Sequence, residues 1–160
     1  MSFDPRLQRQ IMGRFATGVT VVTVGAGDSL CAMTANSVMS LSLTPPLILI
    51  AVKKGNRTAQ MISEIRCFAV NVLTAEQEPI ARRFATNGLK DFSDISFKCA
   101  ETGAPVLEGA LAWVDCRLVE MLAGGDHNIF IGQIAAGESR SGNPLLFYGG
   151  SYARLSESPE

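Results

Sequence analysis

The stretch Ala112-Trp113-Val114-Asp115-Cys116-Arg117-Leu118 alternates its side chains with a period of two, the repeat of a β-strand with one face turned to a core. Ala112, Val114, Cys116 and Leu118 fall on the inner face, and Trp113, Asp115 and Arg117 on a solvated one. Working outward, Ala123 to Asp126 read as a turn that returns the chain into a second strand from His127 onward, over residues 127–136. The β-branched run Val19-Thr20-Val21-Val22-Thr23-Val24 ends at Gly25 and Gly27, and reads as a strand and a turn. Residues 47–52 form a continuous Leu/Ile/Val-rich run after Pro45 and Pro46, which predicts a buried strand. Residues 68–73 and 145–148 add two more.

Helical spacing is confined to three short segments. Asp4 before Pro5 predicts an N-cap with proline at the first helical position, and Leu7, Ile11, Met12 and Phe15 then give one packed face to a helix over residues 5–16. Residues 57–65 and 75–85 are the other two. Strands that do not alternate regularly with helices predict a mainly β protein, an antiparallel barrel with a few peripheral α-helices. A doubly wound parallel sheet is disfavoured, and no repeat or linker divides the chain, so residues 1–160 are taken as one domain with a polar tail over 156–160.

Composition narrows the function classes. At 160 residues the chain suits a single domain, large enough to withdraw roughly two thirds of its surface from water. Its 14 basic and 15 acidic side chains are scattered without blocks, so the broad positive potential of a nucleic-acid binder is missing. No window approaches the run of about 18 apolar residues needed to span a membrane. Asp4, Arg6, Arg9 and Arg14 without an apolar core do not resemble a signal peptide, so a cytoplasmic location is expected. Cys31, Cys67, Cys99 and Cys116 are widely spaced and read as buried free thiols. With His127 the only histidine, no metal centre is expected.

Three segments could carry chemistry. Residues 34–46 place Thr34, Asn36, Ser37, Ser40, Ser42 and Thr44 at near-regular intervals ahead of a buried strand. Turn and capping chemistry accounts for them as well as a ligand pocket does. Lys53-Lys54-Gly55-Asn56-Arg57-Thr58 follows that strand and opens a helix, where free N–H groups and the helix dipole favour an anion. Such a loop is also common as plain solvated surface. His127 in its turn, and Tyr148 and Tyr152 around Gly149 and Gly150, are by themselves ordinary structural residues as readily as ligand contacts. There is no Gly-x-Gly-x-x-Gly before a helix, no phosphate loop and no Gly-x-Ser-x-Gly, which counts against a Rossmann site and a hydrolase.

Taken together, Phe15-Ala16-Thr17-Gly18-Val19-Thr20-Val21-Val22-Thr23, Met33-Thr34-Ala35-Asn36-Ser37 with Ser40, Ser42, Pro45 and Pro46, Asn71-Val72-Leu73, Arg83-Phe84-Ala85 and Gly125-Asp126-His127 resemble the flavin reductase-like family, from about residue 7 to residue 155. These proteins are the reductase components of two-component flavin-dependent monooxygenases. The resemblance implies an antiparallel split β-barrel that binds FMN or FAD, usually as a homodimer with the flavin near the subunit interface. By position it implies that Thr34, Ala35, Asn36 and Ser37, with Ser40 nearby, meet the isoalloxazine and ribityl chain, and that Ala51, Val52 and Lys53 flank the ring. Asn56, where relatives often have Ser, would receive the phosphate together with Arg57 and Thr58, and Phe84 and Lys90 would close the pocket. His127, Tyr148 and Tyr152 would lie toward the nicotinamide, and Met39 stands where relatives commonly have Thr.

The reaction so implied is hydride transfer from NADH or NADPH to flavin, with the rings stacked at about 3–3.5 Å and no obligatory protein acid or base. The reduced flavin would pass to a separate monooxygenase. Two alternatives stand beside it: a non-enzymatic flavin-binding electron carrier, and a split-barrel flavoenzyme that oxidises or reduces another small molecule, for which a more basic pocket is expected.

Overall fold

A computed structural model of the chain describes residues 3–156. The elements, in chain order, are helix α1 (Pro5–Met12), strands β1 (Thr17–Gly18), β2 (Thr20–Val24), β3 (Cys31–Ala35), β4 (Val38–Leu43) and β5 (Pro46–Lys53), helix α2 (Arg57–Ile65), strand β6 (Cys67–Val72) and helix α3 (Glu78–Ala85). Strands β7 (Phe97–Cys99), β8 (Pro105–Leu107), β9 (Ala112–Gly124), β10 (His127–Ser139), β11 (Leu146–Tyr148) and β12 (Ser151–Ala153) complete the chain. Seven strands form one antiparallel sheet in the order β3-β2-β6-β9-β10-β5-β4, with the small sheets β1-β11-β12 and β7-β8 outside it. Side chains from all seven, among them Val22, Ile50, Phe68, Cys116 and Phe130, meet in one apolar cluster joined by Ala59, Met61 and Ile62 of α2. The sheet therefore rolls around that cluster while its edges β3 and β4 stay unbonded to each other, although only Asn36 and Ser37 separate them in the chain. This is a split barrel, as the resemblance implied.

The opening stretch behaves as its pattern predicts on the inside and differently on the outside. Cys116 and Leu118 are buried in the barrel, and β9 pairs with β6 on one side and β10 on the other. Asp115, expected in solvent, is 0% exposed, because the turn before β8 folds over it. Thr102 donates both its backbone N–H, at 2.7 Å, and its hydroxyl to the Asp115 carboxylate, which is how a buried charge becomes tolerable.

Three further expectations are corrected. The first helix stops at Met12 instead of residue 16, where Gly13 N–H closes on the Arg9 carbonyl and the chain turns into β1. Its apolar stripe, Leu7, Ile11 and Met12, with Phe15 beyond, is exposed, and no residue of the helix is buried in the described chain. Asn36, Ser37 and Ser40 of the polar segment 34–46 are exposed at the open edge. Cys31 and Cys116 are buried thiols, but Cys67 is half-buried and Cys99 exposed, since Cys99 sits in β7, a two-strand ribbon with one open side. The ribbon itself was not anticipated, its strands of three residues being too short to show a period.

On the outer face of β2 and β3, Val21 and Ala32 pack against Ala81 and Phe84 of α3. The core of the barrel leaves no room at Gly132, where an added methyl would come within 2.7 Å of Phe68 Cζ and 2.9 Å of Cys116 Cβ. Gly132→Ala is expected to destabilise the fold by about 1–3 kcal/mol, lowering Tm by several degrees in a thermal melt; an unchanged Tm would show that Phe68 has space to move.

Candidate functional site

The split between β3 and β4 opens beside a cavity of about 770 Å³. One wall is β3 with the hairpin turn that precedes it, from Gly27 to Thr34; a second is the start of α2, from Gly55 to Thr58; the third is the end of α3 and the following loop, from Phe84 to Lys90. Each wall is set by local chemistry. Asn56 caps α2, its side chain accepting the Thr58 N–H at 2.8 Å, and Gly55 at φ +79° makes the turn into it. Thr34 donates its hydroxyl to the Ala81 carbonyl at 2.6 Å, which ties β3 to α3. Arg83 grips the Asp91 carbonyl at 3.1 Å and the Asp94 carboxylate, fixing the far end of the loop.

Of the residues singled out in the sequence, Thr34, Asn56, Arg57, Thr58, Phe84 and Lys90 line this cavity. Asn36, Ser37, Ala51 and Lys53 follow next to it across the split: Ala51 N–H donates to the Ser37 carbonyl at 3.0 Å, and Lys53 lies opposite His127 in the β5–β10 register, whereas the Ala35 side chain is buried in the barrel core. Ser40 is farther along the β4 edge. The Val52 side chain is 0% exposed in the barrel core, so only its backbone can meet a ligand. Tyr148 and Tyr152 are elsewhere, on the β1-β11-β12 sheet. Tyr148 accepts a bond from Arg14 at 3.4 Å, and Tyr152 stacks edge-on against Phe147 beneath the Arg82 guanidinium, 4.9 Å from the ring centre. The chain does not bring them to the cavity wall.

Cys31, Met33, Asp28, Leu30 and Leu89 also line the cavity and escaped sequence reasoning. The alternation of β3 and the turn residues before it could have flagged the first four; nothing distinguishes Leu89 from ordinary loop. A second hollow, about 150 Å³, lies near Trp113 and Arg140 at the opposite end of the β9–β10 ribbon from His127.

The electrostatics suit an anion flanked by an apolar ring. Arg57 and Lys90 face the cavity from two walls, with Asp28 the one carboxylate among its lining residues. Burial holds the Lys90 ammonium below its usual pKa and pushes the Cys31 thiol up, the latter opposed by Arg57. Thr58 is 3% exposed, and among the described residues nothing accepts from or donates to its hydroxyl, which opens on the cavity. A phosphate is the group that would use it. Outside, Asp126 accepts from His127 Nδ1 at 2.8 Å, and the imidazole holds that carboxyl below the usual range. Because the carboxylate can only accept, Nδ1 carries the proton and Nε2 is left to meet a ligand. The small hydroxyl, amide and cationic groups around an opening bounded by Phe84 and Met33 thus fit a flavin nucleotide.

Comparison with known proteins agrees with this geometry. Residues 12–156 match the family model described as flavin reductase like domain. The chain is 39% identical over 153 residues to the FMN reductase (NADH) SmoA of Agrobacterium fabrum, covering 96% of this chain and 87% of that one. It is 37% identical over 158 residues to HsaB, the reductase subunit of a flavin-dependent monooxygenase from Mycobacterium tuberculosis, covering 95% and 83%. Among solved structures, the Streptomyces globisporus NADH:FAD oxidoreductase SgcE6 in complex with NAD and FAD fragments superposes with a TM-score of 0.91 at 40% identity, covering 100% of this chain and 99% of that one. A match over nearly the whole barrel, with the cavity at its split edge, means that the chain belongs to the flavin reductase-like family.

Proposed function

We propose that the protein is an NAD(P)H-dependent flavin reductase that oxidises a reduced nicotinamide nucleotide and hands reduced FMN or FAD to a separate monooxygenase. The observation that carries this is the adjacency of three groups: Asn56, Arg57 and Thr58 line the cavity, the Asn56 N–H donates to the Lys53 carbonyl, Lys53 lies opposite His127 in the sheet, and Ala51 N–H holds the Ser37 carbonyl next to Asn36. SmoA and HsaB support the two halves of the reaction, the first as an NADH-linked flavin reductase and the second as a monooxygenase reductase subunit. A flavin held there would supply the redox chemistry, as acceptor of a hydride from the nicotinamide. The chain's work is positioning. Arg57 and the free N–H groups at the start of α2 bind the phosphate, and Thr58 donates to it. Asn36 and Ser37, both exposed, offer donors to the polar edge of the ring, where negative charge grows on reduction. Phe84 and Met33 exclude water from its apolar side, and His127 Nε2, oriented through Asp126, aligns the nicotinamide. Supply of NAD(P)H makes the cytoplasm the working compartment.

The unpartnered apolar stripe of α1, Leu7, Ile11 and Met12, with Phe15 beside it, supports a homodimer, since a second copy would remove that surface from water. Met39, Leu41 and Leu43 are further exposed apolar residues, along the β4 edge. Tyr148 stands beside α1, held through Arg14 and the Gly149 N–H bond to the Gly13 carbonyl. A contribution from Tyr148 and Tyr152 to the nicotinamide would come from that face.

Purified protein is expected to oxidise NADH or NADPH under air only when FMN or FAD is added, followed at the nicotinamide absorbance; stoichiometric tight flavin without turnover would instead identify an electron carrier. His127→Ala should raise the apparent KM for the nucleotide by about tenfold while flavin Kd shifts far less, as expected for one lost hydrogen bond; nucleotide kinetics identical to the parent's would remove His127 from the site. In sedimentation, the parent should run as a dimer and Ile11→Asp as a monomer, and a monomeric parent would contradict the assembly.

A further inference from the structure

We infer that Lys54 is a positioning residue for the nicotinamide: it staples the turn that carries His127 to the start of α2, and so holds the imidazole in a fixed place relative to Asn56, Arg57 and Thr58. The inference rests on the role given to His127 above. That imidazole belongs to the first residue of β10, and only Gly125 and Asp126 separate β10 from β9. Gly125 is at φ +66° and Asp126 is not at positive φ, the pattern of a type II′ hairpin turn. Both turn residues are exposed and lie beyond the ladder, since the pairing of β10 with β9 and with β5 begins at His127. Exposed loop tips open at the lowest free-energy cost in a fold. Among the described residues, the hydrogen bonds that the two turn carbonyls accept both come from Lys54: its ammonium donates to the Gly125 carbonyl at 2.7 Å and its backbone N–H to the Asp126 carbonyl at 3.0 Å.

On its own side Lys54 belongs to a second tight turn. The Asn56 N–H closes on the Lys53 carbonyl at 3.2 Å, with Gly55 at φ +79° in the third position, where a type II turn requires it. Lys54 takes the second position, and Asn56 caps α2 directly after. The staple therefore joins two turns, one leading into His127 and the other into Asn56, Arg57 and Thr58. Gly55 to Thr58 line the cavity and Lys54 does not, so its ammonium is committed to the Gly125 carbonyl and not to a ligand there. Among the described residues no carboxylate pairs with Lys54. A point charge on a flexible stem can reach a carbonyl beyond the end of the ladder, and the bond it makes is stronger than a neutral one. Asp126 relays the restraint: its carbonyl is held by Lys54, while its carboxylate accepts from His127 Nδ1 at 2.8 Å. Lys53 has a different part, its charge joining the imidazole in keeping the Asp126 carboxyl low.

Steady-state kinetics of the full chain with saturating flavin, run as a double-mutant cycle, test this. Lys54→Met should raise the apparent KM for the nicotinamide nucleotide about threefold to fivefold, less than the effect of His127→Ala because Lys54 acts only through the imidazole. Lys54→Arg, which keeps a cation able to reach Gly125, should restore the parent KM, and the flavin Kd of both variants, read by fluorescence without nucleotide, should stay within about twofold of the parent's. In the His127→Ala background, Lys54→Met should change the KM no further. Lys54 is exposed, and far-UV circular dichroism matching the parent's is expected of each variant. An unchanged KM in Lys54→Met would overturn the inference, as would full additivity of the two substitutions, which would give Lys54 a contact of its own. A flavin Kd that rises as much as the KM would overturn it by making Lys54 a flavin ligand. Parent protein that oxidises neither NADH nor NADPH with either flavin would overturn the reductase reading itself, and the staple with it.

Discussion

A seven-stranded sheet that rolls up without joining its two edges leaves a row of unpaired N–H and C=O groups on β3 and on β4. Such edges must be covered, bent away or put to use. Here the two-residue link of Asn36 and Ser37 carries the chain from one edge to the other, and Ser37 spends its carbonyl on Ala51 of β5, not on β3. The gap is thereby fixed open at a defined place. Everything assigned to ligand binding borders that gap or follows from it: β3 as a wall, α2 capping the barrel beside it, and α3 strapped to the outer face of β3 through Thr34 and Ala81.

Buried polar side chains keep this arrangement in register. Asn71 on β6 is fully buried, donates to the Val21 carbonyl at 2.9 Å and to the Thr23 hydroxyl, and accepts the Leu107 N–H at 2.8 Å. One amide thus ties β2, β6 and β8 together with both of its N–H groups and its oxygen engaged. Asp115 and Thr102 do the same for the turn ahead of β8. Inside, Phe68, Phe130 and Ile50 fill the barrel, and Gly132 marks where Phe68 claims the space of a side chain. The polar ties on the outer face and the close packing inside fix where β3 and α2 stand relative to each other, which is the dimension that a ligand along the cavity must match.

Much of this was legible in the residues. Period two at Ala112 to Leu118, the β-branched run at Val19 to Val24 and the bounded apolar run before Lys53 each found their strands, because one buried face imposes a pattern on the sequence. Asn56 ahead of Arg57 marked the start of α2 as an anion-ready turn, and those residues line the cavity. Asp115 was misread because its cover comes from residues 101–104, a turn distant in the chain whose fold no local period encodes. The α1 stripe was read correctly as apolar and wrongly as packed, since a sequence shows that a face is hydrophobic but not which molecule covers it. Leu89 was invisible for a related reason: its position at the cavity mouth depends on Gly88 and on the Arg83 clamp, neither of which leaves a pattern at Leu89 itself.

The bare α1 stripe also bears on how the stability of this protein is to be understood. If a second copy covers Leu7, Ile11 and Met12, part of the free energy that holds the subunit together is shared between two chains. Unfolding then becomes a reaction whose midpoint moves with total protein, rising as the solution is concentrated and falling on dilution. Substitutions on that stripe would register as lost heat resistance without touching the barrel core.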